Sequence, residues 1–453
     1  MKSLFGTDGI RGEAGKFPLD ALTVRTIGKS LAAHLKNSTG RAPSIVIGRD
    51  TRESGEWLEN ALIKGALEER AECLSAGVIT TPGVAYLTRV FNADAGVVIS
   101  ASHNPYHDNG IKIFAPTGKK IADSIERVIE ADIRSASIDN EPSPSDQLDH
   151  QQTRSADELR HRYLRFLTDE IGAGLALSGL SIVVDCANGA SSYLAPALFE
   201  SLGAKVVAIN VLPDGRNINL NCGSLHIESL QARVTDEQAD LGVAFDGDAD
   251  RSLFVDAKSK FVDGDATLWV LTNHLLSQQR LNGNFVVATV MSNIGLEIAL
   301  RSIGVDLVRT DVGDKYVLDE LLRRGGSLGG EQSGHIIMPE LSLAGDGMIT
   351  ALCLVRAMVD AQKQLHELVR GFQQYPQTLL NVRVREKVPF EEIESVQKVV
   401  SRVKKQLSQN GRLLLRYSGT ERLARVMIEG ANQSEIEDLA GQIADAIRRQ
   451  IGE

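Results

Sequence analysis

The segment GVVISASHNP at residues 96–105 decides the fold, because an apolar strand runs there directly into a polar loop. Two later segments have the same form, LGVAFDGDADR at 241–251 and SLGGEQSGH at 327–335. Each follows an earlier apolar run, and these runs are SIVIGRD at 44–50, SIVVDCANG at 181–189 and NFVVATVMSN at 284–293. Short strands that alternate with amphipathic stretches are typical of βαβ units. We therefore expect a degenerate threefold repeat of α/β domains with parallel or mixed sheets.

A fourth domain of a different kind is predicted beyond FQQYPQT at residues 372–378. The pattern there is a strand (LLNVRVRE), a helix over 389–408, two close strands (RLLLRYS and ARVMIEG) and a final helix. Ser434 and Glu437 predict a capping box at the start of that last helix. The helix is predicted to bury an apolar face made of Ile436, Leu439, Ala440, Ile443, Ala444 and Ile447. The tail is therefore expected to form a small α+β domain.

The chain length agrees with this organisation, since 453 residues at roughly 150 per domain give three to four domains. A polar segment at 135–157 with two prolines predicts a linker or surface excursion after the first domain. The expected boundaries are 1–150, 155–255 and 256–370 for the three α/β domains, and 375–453 for the α+β domain.

Composition and charge favour a globular enzyme over a binder of nucleic acid or membranes. The 49 Lys and Arg residues against 59 Asp and Glu give a net charge of −10, which disfavours binding to a phosphate backbone. No apolar run approaches the length of a membrane span, and no signal peptide is visible. The four cysteines lack CxxC spacing, which is typical of buried thiols in a reducing compartment. We expect a cytoplasmic protein.

The polar loop SASHNPYHDNGIKIF at 100–114 carries the first candidate for chemistry. A serine between small residues at a strand end can expose its hydroxyl, and His103 and Asn104 stand beside it. The loop is not a nucleophile elbow, because Ser100 and Asn104 occupy the positions that G-x-S-x-G reserves for glycine. A polar turn closed by Asn-Pro is the alternative interpretation.

The loop DGDADR at 246–251 has three aspartates at alternate positions directly after an apolar strand. If the chain turns there, the carboxylates converge, and such a set suits a hard divalent cation such as Mg²⁺. An EF-hand is excluded, because its sixth position would be Arg251 and its twelfth Ala257. A solvated acidic turn remains the alternative.

Two further loops are weaker signals when taken alone. In GGEQSGH at 329–335 the tandem glycines would let the backbone approach a ligand, and the polar side chains suit a polyhydroxylated one. In RYSGTERLAR at 416–425 arginines, hydroxyls and the amides around a glycine could enclose a phosphate dianion. A structural turn and an ordinary hairpin are the respective alternatives. Neither a Walker A sequence nor a dinucleotide fingerprint is present, which disfavours nucleotide binding.

Together these loops carry a resemblance. SASHNP, DGDADR, GEQSGH and RYSGTE stand in the same order and at similar separations as the four signature loops of the α-D-phosphohexomutase superfamily. FGTDGIRG at 5–12 and VGDKYV at 312–317 resemble its phosphoglucosamine mutase branch in particular. The resemblance covers the whole chain and implies three related α/β domains and an α+β domain around a central cleft.

The resemblance also implies roles for individual residues. Ser102 would be a phosphoserine, and Asp246, Asp248 and Asp250 would bind one Mg²⁺ together with the phosphoryl group on Ser102. Other residues implied at the reaction centre are Arg11, His103, Lys112 and His335, of which Lys112 and His335 are the candidates for proton transfer. The residues implied to bind substrate are Arg251, Glu331, Ser333, Arg416, Ser418, Gly419, Thr420 and Arg425.

The activity implied is the interconversion of glucosamine 6-phosphate and glucosamine 1-phosphate. It would proceed through a 1,6-bisphosphate, which would also act as activator, and would supply UDP-N-acetylglucosamine and cell-wall precursor synthesis. The alternatives are a phosphoglucomutase or phosphomannomutase, a phosphoserine-dependent hydrolase and a sugar-phosphate sensor without turnover. The partners expected are small sugar phosphates, with a homodimer as the possible assembly.

Two positions depart from the pattern of the family. Ala249 replaces a glycine often found in the metal loop, although some phosphoglucosamine mutases share this alanine. Arg422 stands where a proline is common after SGTE, which bears on the rigidity of that loop and on which arginine faces a phosphate.

Overall fold

A computed structural model describes residues 3–135, 154–418 and 421–453. Much of the predicted linker at 135–157 and two residues of the C-terminal loop, Gly419 and Thr420, lie outside these described residues. Within the described ranges, no helix is both long and apolar enough to cross a membrane.

The first repeat is a six-stranded sheet covered by helices, in the order β1-β2-β6-β5-β3-β4. Its elements are β1 (Phe5–Gly6), β2 (Gly9–Glu13), α1 (Ala21–Thr39), β3 (Ser44–Arg49), α2 (Gly55–Glu68), β4 (Glu72–Val78), α3 (Thr81–Val90), β5 (Ala95–Ile99), β6 (Asp108–Phe114) and α4 (Asp123–Ser135). Strand β3 pairs in parallel with β4 and β5, whereas β6 is antiparallel to β5.

The second repeat is a five-stranded sheet in the order β11-β10-β9-β7-β8. Its elements are α5 (Ala156–Arg165), a π-helical turn (Phe166–Ile171), β7 (Ser181–Asp185), α6 (Leu194–Ser201), β8 (Lys205–Ile209), a 3₁₀ turn (Gly223–Leu225), α7 (Glu228–Glu237), β9 (Leu241–Phe245), β10 (Ser252–Asp256) and β11 (Phe261–Val262). Here β7 pairs in parallel with β8 and β9, and β10 is antiparallel to β9.

The third repeat has a four-stranded sheet in the order β13-β12-β14-β15. Its elements are α8 (Gly264–Ser277), a short turn (Asn282–Asn284), β12 (Phe285–Thr289), α9 (Ile294–Ser302), β13 (Asp306–Thr310), α10 (Asp314–Arg324), β14 (Gly329–Gly330), β15 (Ile336–Ile337), α11 (Gly347–Ala361) and α12 (Leu365–Leu368). Strand β14 is parallel to β12 and antiparallel to β15.

The three sheets share one strand order, which confirms the threefold repeat predicted from the sequence. In each, the first long strand lies between the second and the third, and a fourth strand turns back antiparallel to the third. The central strands β5, β9 and β12 are buried along their whole length. Burial on both faces explains why these strands appear in the sequence as continuous apolar runs rather than as alternating patterns.

The C-terminal sheet is antiparallel, in the order β16-β18-β17, and two helices cover it. Its elements are β16 (Gln377–Arg383), a 3₁₀ turn (Phe390–Glu392), α13 (Glu394–Leu407), β17 (Arg412–Tyr417), β18 (Leu423–Glu429) and α14 (Gln433–Ile451). The apolar face predicted for α14 is buried. The fold class predicted from the sequence is therefore confirmed.

The capping box predicted at Ser434 and Glu437 is wrong. Helix α14 begins two residues earlier, at Gln433, and the side chain of Asn432 accepts a hydrogen bond from Glu435 N at 3.2 Å. Asn432 already satisfies a free amide of the first turn, so Ser434 lies inside the helix. A capping box does occur at Ser155 and Glu158, at the start of α5.

The described chain divides into two compact units. One comprises residues 1–290 and 308–369, and the other comprises 291–307 and 370–453. Within the second unit, the start of α9 is tied to the C-terminal sheet, since Ile294 N donates to the Glu429 carboxylate at 3.1 Å. The four domain boundaries given by the sequence stay a prediction.

Candidate active site

The three chemical loops of the first unit occupy the same position in the three repeats. Each is the turn that joins the third strand to the antiparallel fourth: 100–107 between β5 and β6, 246–251 between β9 and β10, and 331–335 between β14 and β15. The three repeats therefore share the location of their polar residues as well as their strand order.

The aspartate loop forms a buried cluster. Ligand oxygens of Asp246, Asp248 and Asp250 all lie within 4.8 Å of one another. Burial, and then the charges of Asp250 and Asp248, raise the pKa of Asp246 well above its ordinary value. In the described part of the chain, Asp248 Oδ1 and Asp250 Oδ1 are buried without a hydrogen-bond partner. Carboxylate oxygens that are out of water and lack a hydrogen bond are costly, and a bound cation would satisfy them.

Ser102 lies directly against this cluster. Its Oγ donates to Asp246 Oδ2 at 2.6 Å and lies 3.3 Å from His103 Nδ1. The residue is almost fully buried and has a φ of 52°, in the left-handed region. The structure thus brings together the serine and the three aspartates that the sequence singled out.

Lys112 lies on β6 and reaches the same cluster from the first repeat. Its Nζ is 2.9 Å from Asp248 Oδ2 and 3.2 Å from both Asp250 Oδ2 and Asp8 Oδ2. Burial alone would lower its pKa, but Asp248, Asp8 and Asp250 raise the pKa well above the usual value. The ammonium group therefore neutralises part of the negative charge of the cluster.

His335 faces the cluster from the third repeat. Its Nδ1 lies 3.6 Å from Asp250 Oδ1 and its Nε2 lies 3.8 Å from Asp314 Oδ2. Burial would lower the pKa of the ring, but Asp250 and then Asp314 outweigh it and raise the pKa to about 9. Both candidates for proton transfer therefore contact Asp250.

A cavity of about 600 Å³ opens beside these residues. Arg11, His103, Arg251 and Glu331 line it together with Asp314. Burial, followed by the charges of Arg251 and Arg11, lowers the pKa of His103 to about 4. The cavity thus presents guanidinium groups and carboxylates to the same space, a lining that suits a charged, polar ligand.

The glycine-rich loop of the third repeat is held by its own contacts. Glu331 accepts from Gly313 N at 3.1 Å and from the Ser333 hydroxyl at 3.3 Å. A side chain at Gly330 would come within 2.7 Å of His335 O. The expectation that the tandem glycines admit a ligand is therefore wrong for Gly330, because protein backbone occupies that space.

The C-terminal loop belongs to the second unit. Arg416 and Arg425 face each other across β17 and β18, and the Ser418 hydroxyl accepts from Glu421 N at 3.3 Å. Within the described residues, Arg425 Nε is buried and has no hydrogen-bond partner. Arg422 is exposed, and its carbonyl accepts a hydrogen bond from Val384 N at 3.0 Å.

Several contacts of the cluster were not among the residues singled out from the sequence. Asp8 binds Arg11, Lys112 and Lys120, and Thr81 Oγ1 donates to Asp248 Oδ2 at 2.6 Å. Asp8 lies within FGTDGIRG, so that motif was the available signal. Thr81 belongs to a helix start, a common location for threonine, and the sequence offered no reason to select it.

The sequence matches family models along most of its length. These are described as phosphoglucomutase/phosphomannomutase alpha/beta/alpha domain I (residues 2–139), domain II (161–260), domain III (263–375) and the C-terminal domain (379–446). A phosphoglucosamine mutase of Solibacter usitatus is 49% identical over 455 residues and covers 100% of both chains. That of Syntrophotalea carbinolica is 45% identical over 451 residues, or 100% of this chain and 98% of the relative.

This chain belongs to the phosphoglucosamine mutase family of the α-D-phosphohexomutases. It is accordingly an isomerase of the intramolecular phosphotransferase type.

Solved structures support the fold. A phosphoglucomutase/phosphomannomutase family protein from Burkholderia thailandensis superimposes with a TM-score of 0.77 at 22% identity, covering 100% of both chains. An N-acetylphosphoglucosamine mutase from Aspergillus fumigatus, in complex with GlcNAc-6P and magnesium, has a TM-score of 0.65 at 19% identity, covering 99% of this chain and 96% of that one. At such identities the likeness concerns the fold alone.

Proposed function

We propose that this chain interconverts glucosamine 6-phosphate and glucosamine 1-phosphate, with Ser102 as the phosphoryl carrier. A 1,6-bisphosphate would be both the intermediate and the activator. The observation that carries the proposal is the contact at 2.6 Å between Ser102 Oγ and Asp246, within a buried set of three aspartates. Such an activity would supply UDP-N-acetylglucosamine and cell-wall precursor synthesis.

The aspartate cluster fits a single Mg²⁺. Asp246, Asp248 and Asp250 would hold it, with the phosphoryl group on Ser102 as a further ligand. This assignment is supported by the buried oxygens of Asp248 and Asp250 that lack a hydrogen-bond partner in the described chain. When bound, the ion would supply positive charge that offsets charge on the oxygens of the phosphoryl group in transfer.

The reaction would consist of two phosphoryl transfers in opposite directions. In the first, the bond between phosphorus and Ser102 Oγ breaks, and a bond forms to the free hydroxyl of the sugar phosphate, whose proton passes to a basic side chain. The bisphosphate then reorients, and its other phosphoryl group returns to Ser102 while the sugar oxygen regains a proton. Lys112 and His335 are the candidates for these proton transfers: the raised pKa of each group favours it as the donor to the leaving sugar oxygen, and its deprotonated form would be the acceptor from the attacking hydroxyl. Positioning and charge neutralisation provide most of the catalysis in such transfers.

The charges that line the cavity agree with an amino sugar phosphate. Arg11 and Arg251 can bind phosphate oxygens. Asp314 and Glu331 line the same cavity and can accept hydrogen bonds from the ammonium group at C2 of glucosamine. By the resemblance, a separate phosphate-binding loop of the second unit would consist of Arg416, Ser418, Gly419, Thr420 and Arg425.

Specificity tests the proposal. Glucose and mannose phosphates lack the ammonium group and would lose a charge-assisted hydrogen bond of about 1.5–3 kcal/mol. We therefore expect kcat/KM for glucosamine phosphates to exceed those for glucose and mannose phosphates by at least about tenfold. The measurement compares the three sugars with one purified enzyme at fixed Mg²⁺ and activator concentrations.

The outcomes separate the alternatives. Equal or better use of glucose or mannose phosphate would contradict the glucosamine assignment and leave the mutase chemistry in place. Release of inorganic phosphate as the main product would indicate a hydrolase. Tight binding of sugar phosphates without turnover would indicate a sensor. Intact mass before and after addition of a sugar bisphosphate reports whether one phosphoryl group is carried by the protein.

A further inference from the structure

Arg52 is fully buried beneath the loop that carries Ser102. Most hydrogen bonds of its guanidinium group are donated to that loop. Its Nη2 donates to Ser102 O and to Asn104 O, each at 2.9 Å. Its Nη1 donates to Pro105 O and, at 3.1 Å, to Asp108 O. A single side chain thus binds four carbonyl groups between Ser102 and the start of β6 at Asp108.

The guanidinium group is itself held in place. Arg52 Nε donates to Asp50 Oδ2 at 2.9 Å, and the same oxygen accepts from the Ser100 hydroxyl at 2.6 Å. The oxygen of Ser100 in turn accepts from Ser102 N at 2.9 Å. The network therefore holds the backbone of Ser102 at two points, its amide and its carbonyl.

Asn219, from the second repeat, donates hydrogen bonds to two of the same carbonyl groups. Its Nδ2 donates to Ser102 O at 2.9 Å and to Asn104 O at 3.2 Å. The neighbouring backbone is close, since a side chain at Gly247 would meet Ser102 O at 2.6 Å. Both acceptor positions of the Ser102 carbonyl are consequently filled, one from each repeat.

Ser102 needs such support because its φ of 52° is unfavourable for a residue with a side chain. We propose that Arg52 and Asn219 are positioning residues that hold Ser102 in this conformation, so that its Oγ stays against the aspartate cluster in both phosphoryl transfers. The inference rests on the proposed role of Ser102 as phosphoryl carrier. Neither residue touches the reacting atoms through its own side chain. Both act through the carbonyl groups of the serine loop.

The test replaces each contact and separates turnover from binding. Arg52→Lys keeps the charge but cannot reach four carbonyls, and Asn219→Gly removes the amide while tolerating the φ of 58° at that position. Since a misplacement of about 1 Å can cost about 100-fold, we expect kcat to fall about 100-fold in each variant, with KM changed less than about threefold. The kcat of the double variant should lie no more than about tenfold below that of the less active single variant, because both changes free the same carbonyl groups.

Arg49→Lys is the matched control. Arg49 lies three residues earlier and pairs with the buried carboxylate of Glu59 at 2.8 Å, so its loss tests the removal of a paired arginine from the same segment. We expect its kcat to stay within about twofold of the unmodified enzyme, at a comparable fall in Tm. If Arg52→Lys does not fold, Asn219→Gly carries the test alone.

The result that would overturn the inference is a kcat within about threefold of the unmodified enzyme in the folded variants, or an equal loss in Arg49→Lys. Ser102→Ala, assayed alongside, keeps the two proposals distinct. If Ser102→Ala retains activity, the proposed function fails. If Ser102→Ala is inactive while the Arg52 and Asn219 variants keep a normal kcat, only the positioning role fails.

Discussion

Charge balance decides the behaviour of the individual site residues. Three carboxylates in one buried place repel one another, and the cationic groups of Lys112, His335 and Arg251 lie against them. Two of the carboxylate oxygens nevertheless keep no hydrogen-bond partner in the described chain. Converging carboxylate oxygens that lack a hydrogen-bond partner suit a divalent cation such as Mg²⁺. The cluster is therefore better explained as a metal centre than as a structural ion pair.

Asp248→Asn tests that explanation. The substitution removes one charge from the cluster. Loss of even an outer-shell partner of a metal ligand lowers metal affinity or activity about 10–100-fold. We expect kcat to fall at least about 100-fold and the Mg²⁺ concentration for half-maximal rate to rise, as measured by assays over a Mg²⁺ titration. Asp256→Asn is the control, because Asp256 is a buried aspartate of the same hairpin that accepts from the backbone amides of Lys258 and Lys260. An unchanged rate in the presence of EDTA would contradict the metal assignment.

Ala249 shows what a single departure from the family pattern means. Its φ is 56°, in the left-handed region, where a residue with a side chain costs roughly 1–2 kcal/mol more than glycine. The backbone of the aspartate loop thus accounts for the glycine that the family pattern has at this position. Alanine tolerates the same turn, and the three aspartates still converge.

At the scale of single elements, the cap of α14 gives a direct test. Asn432 provides the acceptor for the first turn, whereas Ser434 lies inside the helix. We expect Asn432→Ala to reduce stability by about 1 kcal/mol, within the range of about 0.5–2 kcal/mol for lost caps, and Ser434→Ala to have almost no effect. Thermal unfolding of the two variants checks this. A larger loss from Ser434→Ala would restore the capping box predicted from the sequence.

Helix α11 supplies a pH-dependent prediction. Asp346 caps it through Met348 N and Ile349 N and accepts from the Tyr163 hydroxyl at 2.6 Å. Burial raises the pKa of Asp346 to about 6, to which the charge of Asp250 also contributes. The unfolded carboxyl releases its proton near its ordinary pKa of 3.8, so this group stabilises the fold below that pH and the stabilisation is lost as pH rises to about 6.

Asp346→Asn should abolish that dependence. The stability of the unmodified protein relative to the variant should therefore fall by up to about 3 kcal/mol between pH 4 and 7, since one pKa unit is about 1.36 kcal/mol. Tm measured for both proteins at several pH values checks the sign. Asp236→Asn, which changes an exposed carboxyl, is the control. A difference that is flat or rises with pH would contradict the assignment.

The sequence predicted these elements well where a local pattern determined them. The buried strands β5, β9 and β12 appear as apolar runs, and the polar residues that follow β5 and β9 mark the turns of the site. Arg52 could not be selected in the same way, because the carbonyl groups that it binds lie about 50 residues further along the chain. Its role becomes visible only when strands distant in sequence lie side by side.

At the scale of the whole molecule, repetition explains how one site can be assembled from distant segments. Three polar loops, which carry Ser102, the aspartate cluster and Glu331, follow the third strand of three sheets with one strand order. Ser102 and Asp246 meet although 144 residues separate them. The repeat was visible in the sequence, whereas the clustering of residues 291–307 with the C-terminal unit was not. That clustering depends on contacts such as Ile294 with Glu429, which no local pattern encodes.

The central claim is that Ser102 carries the phosphoryl group, and a chase experiment tests it most directly. The enzyme is labelled with a sugar bisphosphate that carries isotopic phosphate, freed of excess reagent and mixed with unlabelled glucosamine 6-phosphate. We predict that the label leaves the protein, appears in the bisphosphate and then in sugar monophosphate, and that Ser102→Ala takes up no label. Product formation while the label stays on the protein, or appearance of the label as inorganic phosphate, would contradict the account.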